Sequence, residues 1–531
     1  MVFFIIIFMS LPQEYYYLKI GQASDLQNKK ERLIYRLLEM LPAFLAWGTL
    51  IGFALAAWMV PFGTAIFVII FDIYWLIKTV YLSLHLKSSY KKVMANIQID
   101  WIKKLSSLPK KDYKHPVKDW HDLYHLIIFP AYKEPYEIVK PSFEALANER
   151  YPKENLIVVF AIEERAGEEA SDLAKKIEDE YKNKFGKFIV TVHPKDTTGE
   201  MPGKGSNIAY AGRQAQKIID ELGVPYENVV VSAFDIDTII HHGYFARLAY
   251  TFLTTENPLR TSYQPVPFYI NNIWEAPSFA RVFAFSSSFW HMIQQERPEK
   301  MTTFSSHSMS FRALVDVDFW ASNMVSEDSR IYWQCLLRYD GDYKIQSLHF
   351  PVNMDANVAE TTKQTAVNQY KQIRRWGWGA ENLPYFLFGF LKNKKVPRVL
   401  KWHHGFFVLE GFHSWSTNAL LMFVFGWLPL ALGGEVFNAS LIAYNLPRFT
   451  RIIMTLAMFG LITSAMLAIS LLPVRPVRYG RFQYVWMVLQ WALLPVTIVI
   501  FGAIPGLEAQ TRLALSGKRR LGFWVTPKHR G

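Results

Sequence analysis

The sequence predicts an α/β domain, with a mostly parallel sheet and helices on both faces, set between transmembrane helices. Three observations predict it. The stretches 41–60, 415–434, 452–473 and 482–507 contain no Asp, Glu, Lys or Arg, and about 20 such residues span a bilayer core as a helix. Residues 87–401 between them have ordinary globular composition, enough for one sizeable domain. Within that block short apolar runs alternate with amphipathic stretches, the pattern of strands joined by crossover helices.

The N-terminal segment, 1–40, opens on an apolar run over 1–12 that lacks a basic start and a small-residue cleavage site, so no signal peptide is expected. A transmembrane hairpin follows over 41–86, turning at 60–63. Its second arm, 62–85, carries Asp72 and Lys78. Charges in a bilayer are costly, so both should face protein or the interface. Lys29, Lys30, Arg32 and Arg36 precede the hairpin and Lys87, Lys91 and Lys92 follow it, which puts both ends in the cytoplasm. The net charge of +13 and pI near 9.4 come largely from such flanking clusters. They imply a lipid bilayer as partner and no nucleic acid. Cys335 is the single cysteine, which excludes an intrachain disulfide and a multi-cysteine metal site.

The domain itself, 87–401, reads as strands over 126–129, 156–162, 188–192 and 228–234, with helices over 136–148, 168–185 and 205–222. Ligands of such sheets bind beyond the carboxyl ends of the strands. At its end, 384–404, an aromatic stretch followed by Lys392, Lys394, Lys395, Arg398 and Lys401 fits either an interfacial segment at the headgroups or a basic helix packed on the domain. The C-terminal membrane region covers 402–507 and a basic tail 508–531. Both Arg475–Arg478–Arg481 and the tail should be cytoplasmic, yet one apolar run separates them. A run broken at Pro495, Gly502, Pro505 and Gly506 into a re-entrant pair resolves this; an external tail is the alternative. No C-terminally fused regulatory module is expected.

Several candidate site residues fall at strand ends. Asp235 and Asp237 close an apolar strand one residue apart and can point to the same side. Together they suit Mg²⁺ or Mn²⁺, which would neutralise a diphosphate leaving group. Lys204 and two flanking glycines open a helix, and an anion suits that position. Glu327 and Asp328 precede a predicted helix; they could be first-turn acids or a proton acceptor. Gln372, Arg375 and Trp376 lie at i, i+3 and i+4 on one helix face.

In this order, these residues resemble the membrane-embedded, processive family-2 glycosyltransferases of the cellulose-synthase-like kind, and the resemblance runs over nearly the whole chain. It implies a GT-A fold. It assigns Pro130, Tyr132 and Glu134 (Pro-Ala-Tyr-Lys-Glu) to the nucleotide base and ribose, with Glu163 contacting the base. The family usually has Asp at that position, which leaves the base unidentified. Lys204 and Asn207 match the segment near the phosphates, and Asp235 and Asp237 the metal–nucleotide site. Asp328 becomes the general base with Glu327 orienting it, though Ser326 replaces the more usual Thr. Gln372, Arg375 and Trp376 match Gln-x-x-Arg-Trp at the acceptor site, and Phe523, Thr526 and Lys528 match the Phe-x-Val-Thr-x-Lys gating loop.

The expected activity is inverting transfer from a UDP- or GDP-sugar to a growing glycan, with translocation through the chain's own helices. The expected location is the inner (plasma) membrane, multi-pass, with a cytoplasmic catalytic domain. A non-processive enzyme with a lipid acceptor would share every catalytic residue. A haloacid-dehalogenase-like phosphotransferase, with Asp235 as nucleophile, is a remote alternative: Gly341-Asp342 lacks the second Asp such enzymes need.

Overall fold

The computed structural model describes residues 13–530; the apolar run 1–12 and its signal-peptide reading lie outside the described residues. Eight strands form one sheet: β1 Tyr124–Pro130, β2 Leu156–Glu163, β3 Lys187–His193, β4 Val229–Ala233, β5 Ile239–Ile240, β6 Thr261–Tyr269, β7 Ser308–Ser310 and β8 Lys344–Met354. Their order is β3-β2-β1-β4-β7-β6-β8-β5. The first four are parallel, β6 and β8 are parallel, and β7 runs antiparallel between β4 and β6. The four predicted strands are thus one half of the sheet.

Parallel strands are covered on both faces, so their side chains are apolar without alternation. Leu126 and Ile128 of β1 pack into one core and Ile127 and Phe129 into another. Helices Tyr136–Ala147 and Glu168–Tyr181 cover the second face, contributing Phe143 and Ile177. Helices Lys204–Leu222 and Glu327–Arg338 cover the first, contributing Ile208 and Ile331. The helix from Lys204 ends at Gly223, whose φ of +65° suits a left-handed cap. We label the helices used below α1 (Lys29–Met59), α2 (Pro61–Ile97), α3 (Lys204–Leu222), α4 (Ser278–Gln295), α5 (Glu327–Arg338), α6 (Thr362–Gly377), α7 (Asn382–Lys392), α8 (Arg398–Phe423), α9 (Leu441–Ser470) and α10 (Gln483–Leu515).

α1, α2, α9 and α10 are long and apolar enough to cross a bilayer; α8 with the following Phe425–Leu432 would add a fifth, bent by 44°. The hairpin turns at Val60, between α1 and α2. Asp72 is buried and accepts a hydrogen bond from Thr450 of α9 at 3.1 Å, while Lys78 lies 3.8 Å from Glu410 and over the Trp75 ring. Both charges face protein.

The aromatic stretch before the basic cluster belongs to the domain core rather than to a headgroup surface. In α7, Leu383, Tyr385, Phe386 and Phe388 are buried, with Phe386 stacked on Trp333 at 4.1 Å. The apolar stripe left outside is Val399, Trp402 and Phe406 on α8.

α10 starts and finishes beside the domain. Near its start, Trp486 donates to Ser278 and Arg281 to Gln490; the loop before it puts Arg478 on Glu275. At its end, Tyr370 and Arg374 of α6 donate to Glu508 at 2.7 and 2.8 Å, and Arg36 of α1 donates to the carbonyls of Leu513 and Ala514. Midway, Gly502 accepts from Trp415 of α8 within a single π-turn, Val499–Ala503.

Candidate active site

The site is assembled beyond the carboxyl ends of β1, β2, β4 and β8. Lys204, at the first turn of α3, is its hub. Its ammonium lies 2.5 Å from Asp235 Oδ1 and 2.8 Å from Asp328 Oδ2. One cation therefore joins the strand-end carboxylate to the carboxylate that opens α5. Asp237 is buried; its Oδ2 accepts the Asp355 amide at 3.0 Å, and Lys528 of the tail pairs with it.

Burial alone would push the Asp235 carboxyl up, but Lys204 and Lys528 outweigh it and hold it well below the usual carboxylate range. Burial opposes the charge on Lys204 as well, and Asp235, Asp328 and Glu327 together raise its pKa. Glu327 is different: burial, then the neighbouring Asp328, push its carboxyl up. His307 is buried 3.9 Å from Asp328, donates Nδ1–H to Phe304 O at 2.9 Å and receives Trp320 Nε1–H at 3.3 Å. Burial lowers its pKa, against the pull of Asp328.

These directions give a sign. A depressed carboxyl contributes stability that is complete above its unfolded value of about 4 and is lost as the pH falls through the lower folded value. Lys204→Met should therefore lower the unfolding midpoint at pH 7 and flatten the loss of stability between pH 5 and 3. Melting curves of the detergent-solubilised protein across that range check it; an unchanged acid limb contradicts the pairing.

At the other end, Pro130 closes β1 and the Tyr132 amide donates to Glu134 at 2.7 Å. The Arg165 guanidinium stacks on the Tyr132 ring at 4.3 Å and grips both oxygens of Glu163, at 2.5 and 3.1 Å. Asn207 is buried and gives its amide to Ala161 O at 2.8 Å, bracing the end of β2.

The helix face on α6 divides. Trp376 lies between Tyr269 and Phe283, 6.2 and 6.1 Å away, in a narrow cleft that Asp355 and Gln372 also line. Arg375 turns to the tail, over the Phe523 ring at 5.0 Å. A side chain at Gly203 would run into that ring, 2.6 Å from Phe523 Cγ. Thr526 is buried, and Arg530 forks onto Asp355 at 2.6 and 3.0 Å.

Arg165, His307, Asp355 and Arg530 are not legible as site residues in the sequence. Asp355 and His307 stand alone in their local sequence, and Arg530 reads only as one more basic tail residue. A glutamate two residues before an arginine, at the end of β2, was the one available hint of the Glu163–Arg165 pair.

Among the described residues no cluster of three or more His, Cys, Asp and Glu is placed to hold a metal ion. Asp235 and Asp237 still fit one as a donor set. Mg²⁺-type ions take hard oxygen ligands and are commonly held by one or two carboxylates together with substrate phosphates.

No family model matches the chain, and no curated protein matches it. Among solved structures, the mannosyltransferase PcManGT from Pyrobaculum calidifontis, in complex with GDP-Man and Mn²⁺, shares 12% identity at a TM-score of 0.38, over 73% of this chain and 98% of its own. S. aureus TarS 1–349, in complex with UDP-GlcNAc, shares 14% identity at 0.36, over 66% and 93%. Likeness at that level carries no inference about chemistry. The chemical reading rests on the side chains gathered around Lys204.

Proposed function

We propose that the chain is a membrane-embedded inverting glycosyltransferase of GT-A type that takes a sugar from a UDP- or GDP-sugar on the cytoplasmic side. The observation that carries the reading is the double ion pair of Lys204. It brings the diphosphate-facing carboxylate Asp235 and the proton-accepting carboxylate Asp328 within reach of one ammonium, so that the donor side and the base adjoin in one site.

In this reading the base and ribose lie against Tyr132, Glu134, Glu163 and Arg165. Lys204 and Lys528 face the diphosphate. Asp235 and Asp237 would hold Mg²⁺ or Mn²⁺, whose charge would neutralise the leaving group. Asp328 takes the proton of the acceptor hydroxyl as that oxygen bonds to C1 and the bond from C1 to the diphosphate breaks. One displacement inverts the anomeric centre. The Trp376–Tyr269–Phe283 cleft, walled on one side by Phe283, Ala284 and Ser287 of α4, offers aromatic faces to the acceptor sugar. The acceptor in this reading is a growing polysaccharide, with a lipid acceptor as the alternative, and product length separates the two. α10 is one continuous helix rather than the re-entrant pair expected from its prolines and glycines; its contacts with the domain near both ends support a tail on the domain's side of the inner membrane.

Nucleoside-diphosphate release by the lipid-reconstituted protein, across UDP- and GDP-sugars with Mg²⁺, Mn²⁺ or chelator, tests the reading. Metal-dependent release from one donor is expected; release from none overturns it. Trp376→Ala should cut acceptor use about tenfold, the scale of one lost stacking contact, with donor KM unchanged. Equal losses for donor and acceptor would remove Trp376 from the acceptor side.

A further inference from the structure

We infer that Glu381 is a positioning residue for the general base, a role that rests on the transferase reading above. Glu381 closes the short turn Trp378–Glu381 that follows α6, and only 2% of it is exposed. A carboxylate so deeply buried is costly unless its oxygens are satisfied. Here they are. Oε1 accepts the backbone N–H groups of Val325 at 3.1 Å and Ser326 at 3.0 Å, and Oε2 accepts Trp378 Nε1–H at 2.9 Å. The Arg520 guanidinium stands 3.8 Å from Oε2 and is also bonded to Glu39 of α1 at 2.9 Å.

Val325 and Ser326 are the two residues immediately before Glu327 and Asp328. Ser326 is the N-cap of α5, but its side chain makes no capping hydrogen bond. The approach of the chain to the base is instead fixed from across the fold. Asn382, the next residue along, continues the clamp: it accepts from Arg330 Nε at 2.6 Å and donates to Ser329 Oγ at 2.9 Å. Residues 325–330 are thus pinned to the chain that leaves Trp376. Asp328 and the acceptor platform move as one unit. Arg520, at the root of the tail, ties that unit to α1.

The distance between base and acceptor hydroxyl is what such a clamp controls, and a misplacement of about 1 Å can cost on the order of 10²-fold in rate. Glu381→Ala should therefore lower kcat on the order of 10²-fold while the affinity for the nucleoside diphosphate and the donor KM stay within about twofold. Glu381→Gln keeps an oxygen for Val325 and Ser326 but turns an amide N–H₂ toward the Trp378 N–H. It should be intermediate, and Glu381→Gln with Trp378→Phe, which removes that donor–donor clash, should regain activity.

The experiment is steady-state transfer and nucleotide binding for wild type, Asp328→Asn and these variants, in lipid. Full kcat in Glu381→Ala, or equal loss of nucleotide binding and turnover, overturns the role. If Glu381→Ala does not assemble, the pair of glutamine variants decides: rescue supports the role and its failure refutes it. A silent wild type sinks the transferase reading itself, whereas an active wild type with an unaffected Glu381→Ala sinks only this proposal.

Discussion

Asp328→Asn should abolish transfer, by about 10³-fold or more, and leave nucleotide binding within a few fold. A positioned general base contributes about 10²–10⁴-fold, and the amide cannot take the acceptor proton. In the proposed reading the nucleotide is held by other groups, the Tyr132–Arg165–Glu163 cluster at one end and Asp235, Asp237 and Lys528 at the other. The substitution also frees Lys204 from one of its two carboxylates, so binding of the diphosphate anion should if anything tighten. Measured side by side, nucleoside-diphosphate release and equilibrium binding separate the two effects. Retained turnover, or binding lost together with it, removes Asp328 from the base role.

Asp237→Asn gives the second large effect, and of the opposite kind. Donor affinity should fall at least tenfold and metal stimulation should disappear, because one of two carboxylate ligands is lost. Lys528, buried against Asp237, loses its nearest counter-charge and keeps only the more distant Asp235 and Asp355. The tail should accordingly loosen and become protease-sensitive. Titration with Mn²⁺ and donor, with limited proteolysis alongside, checks both. Unchanged metal dependence would place the ion elsewhere.

How far the sequence speaks differs from residue to residue. The first half of the sheet is legible because β1, β2 and β4 are short, mostly apolar runs bounded by turns, with amphipathic helices between them. The second half is not: β6 carries two prolines and β7 is three residues long, SMS, so neither shows a strand period. Asp235, Asp237 and Asp328 are legible because their chemistry is local and their order along the chain is informative. Asp355 and Glu381 are not, because each acts on a partner far away in sequence. Nothing near Glu381 indicates that its acceptors are needed at Val325. The aromatic run of α7 stays ambiguous in the sequence for a related reason: periodicity cannot distinguish a helix face buried in protein from one lying at lipid headgroups.

Lys204 also has a kinetic consequence. Its ammonium engages both oxygens of Asp328, the oxygens that in the proposed mechanism accept the acceptor's proton. A diphosphate arriving beside Asp235 competes for that ammonium and draws it off. On that mechanism substrates should add in order, donor before acceptor, since a hydroxyl that enters first, including that of water, would meet a base already engaged.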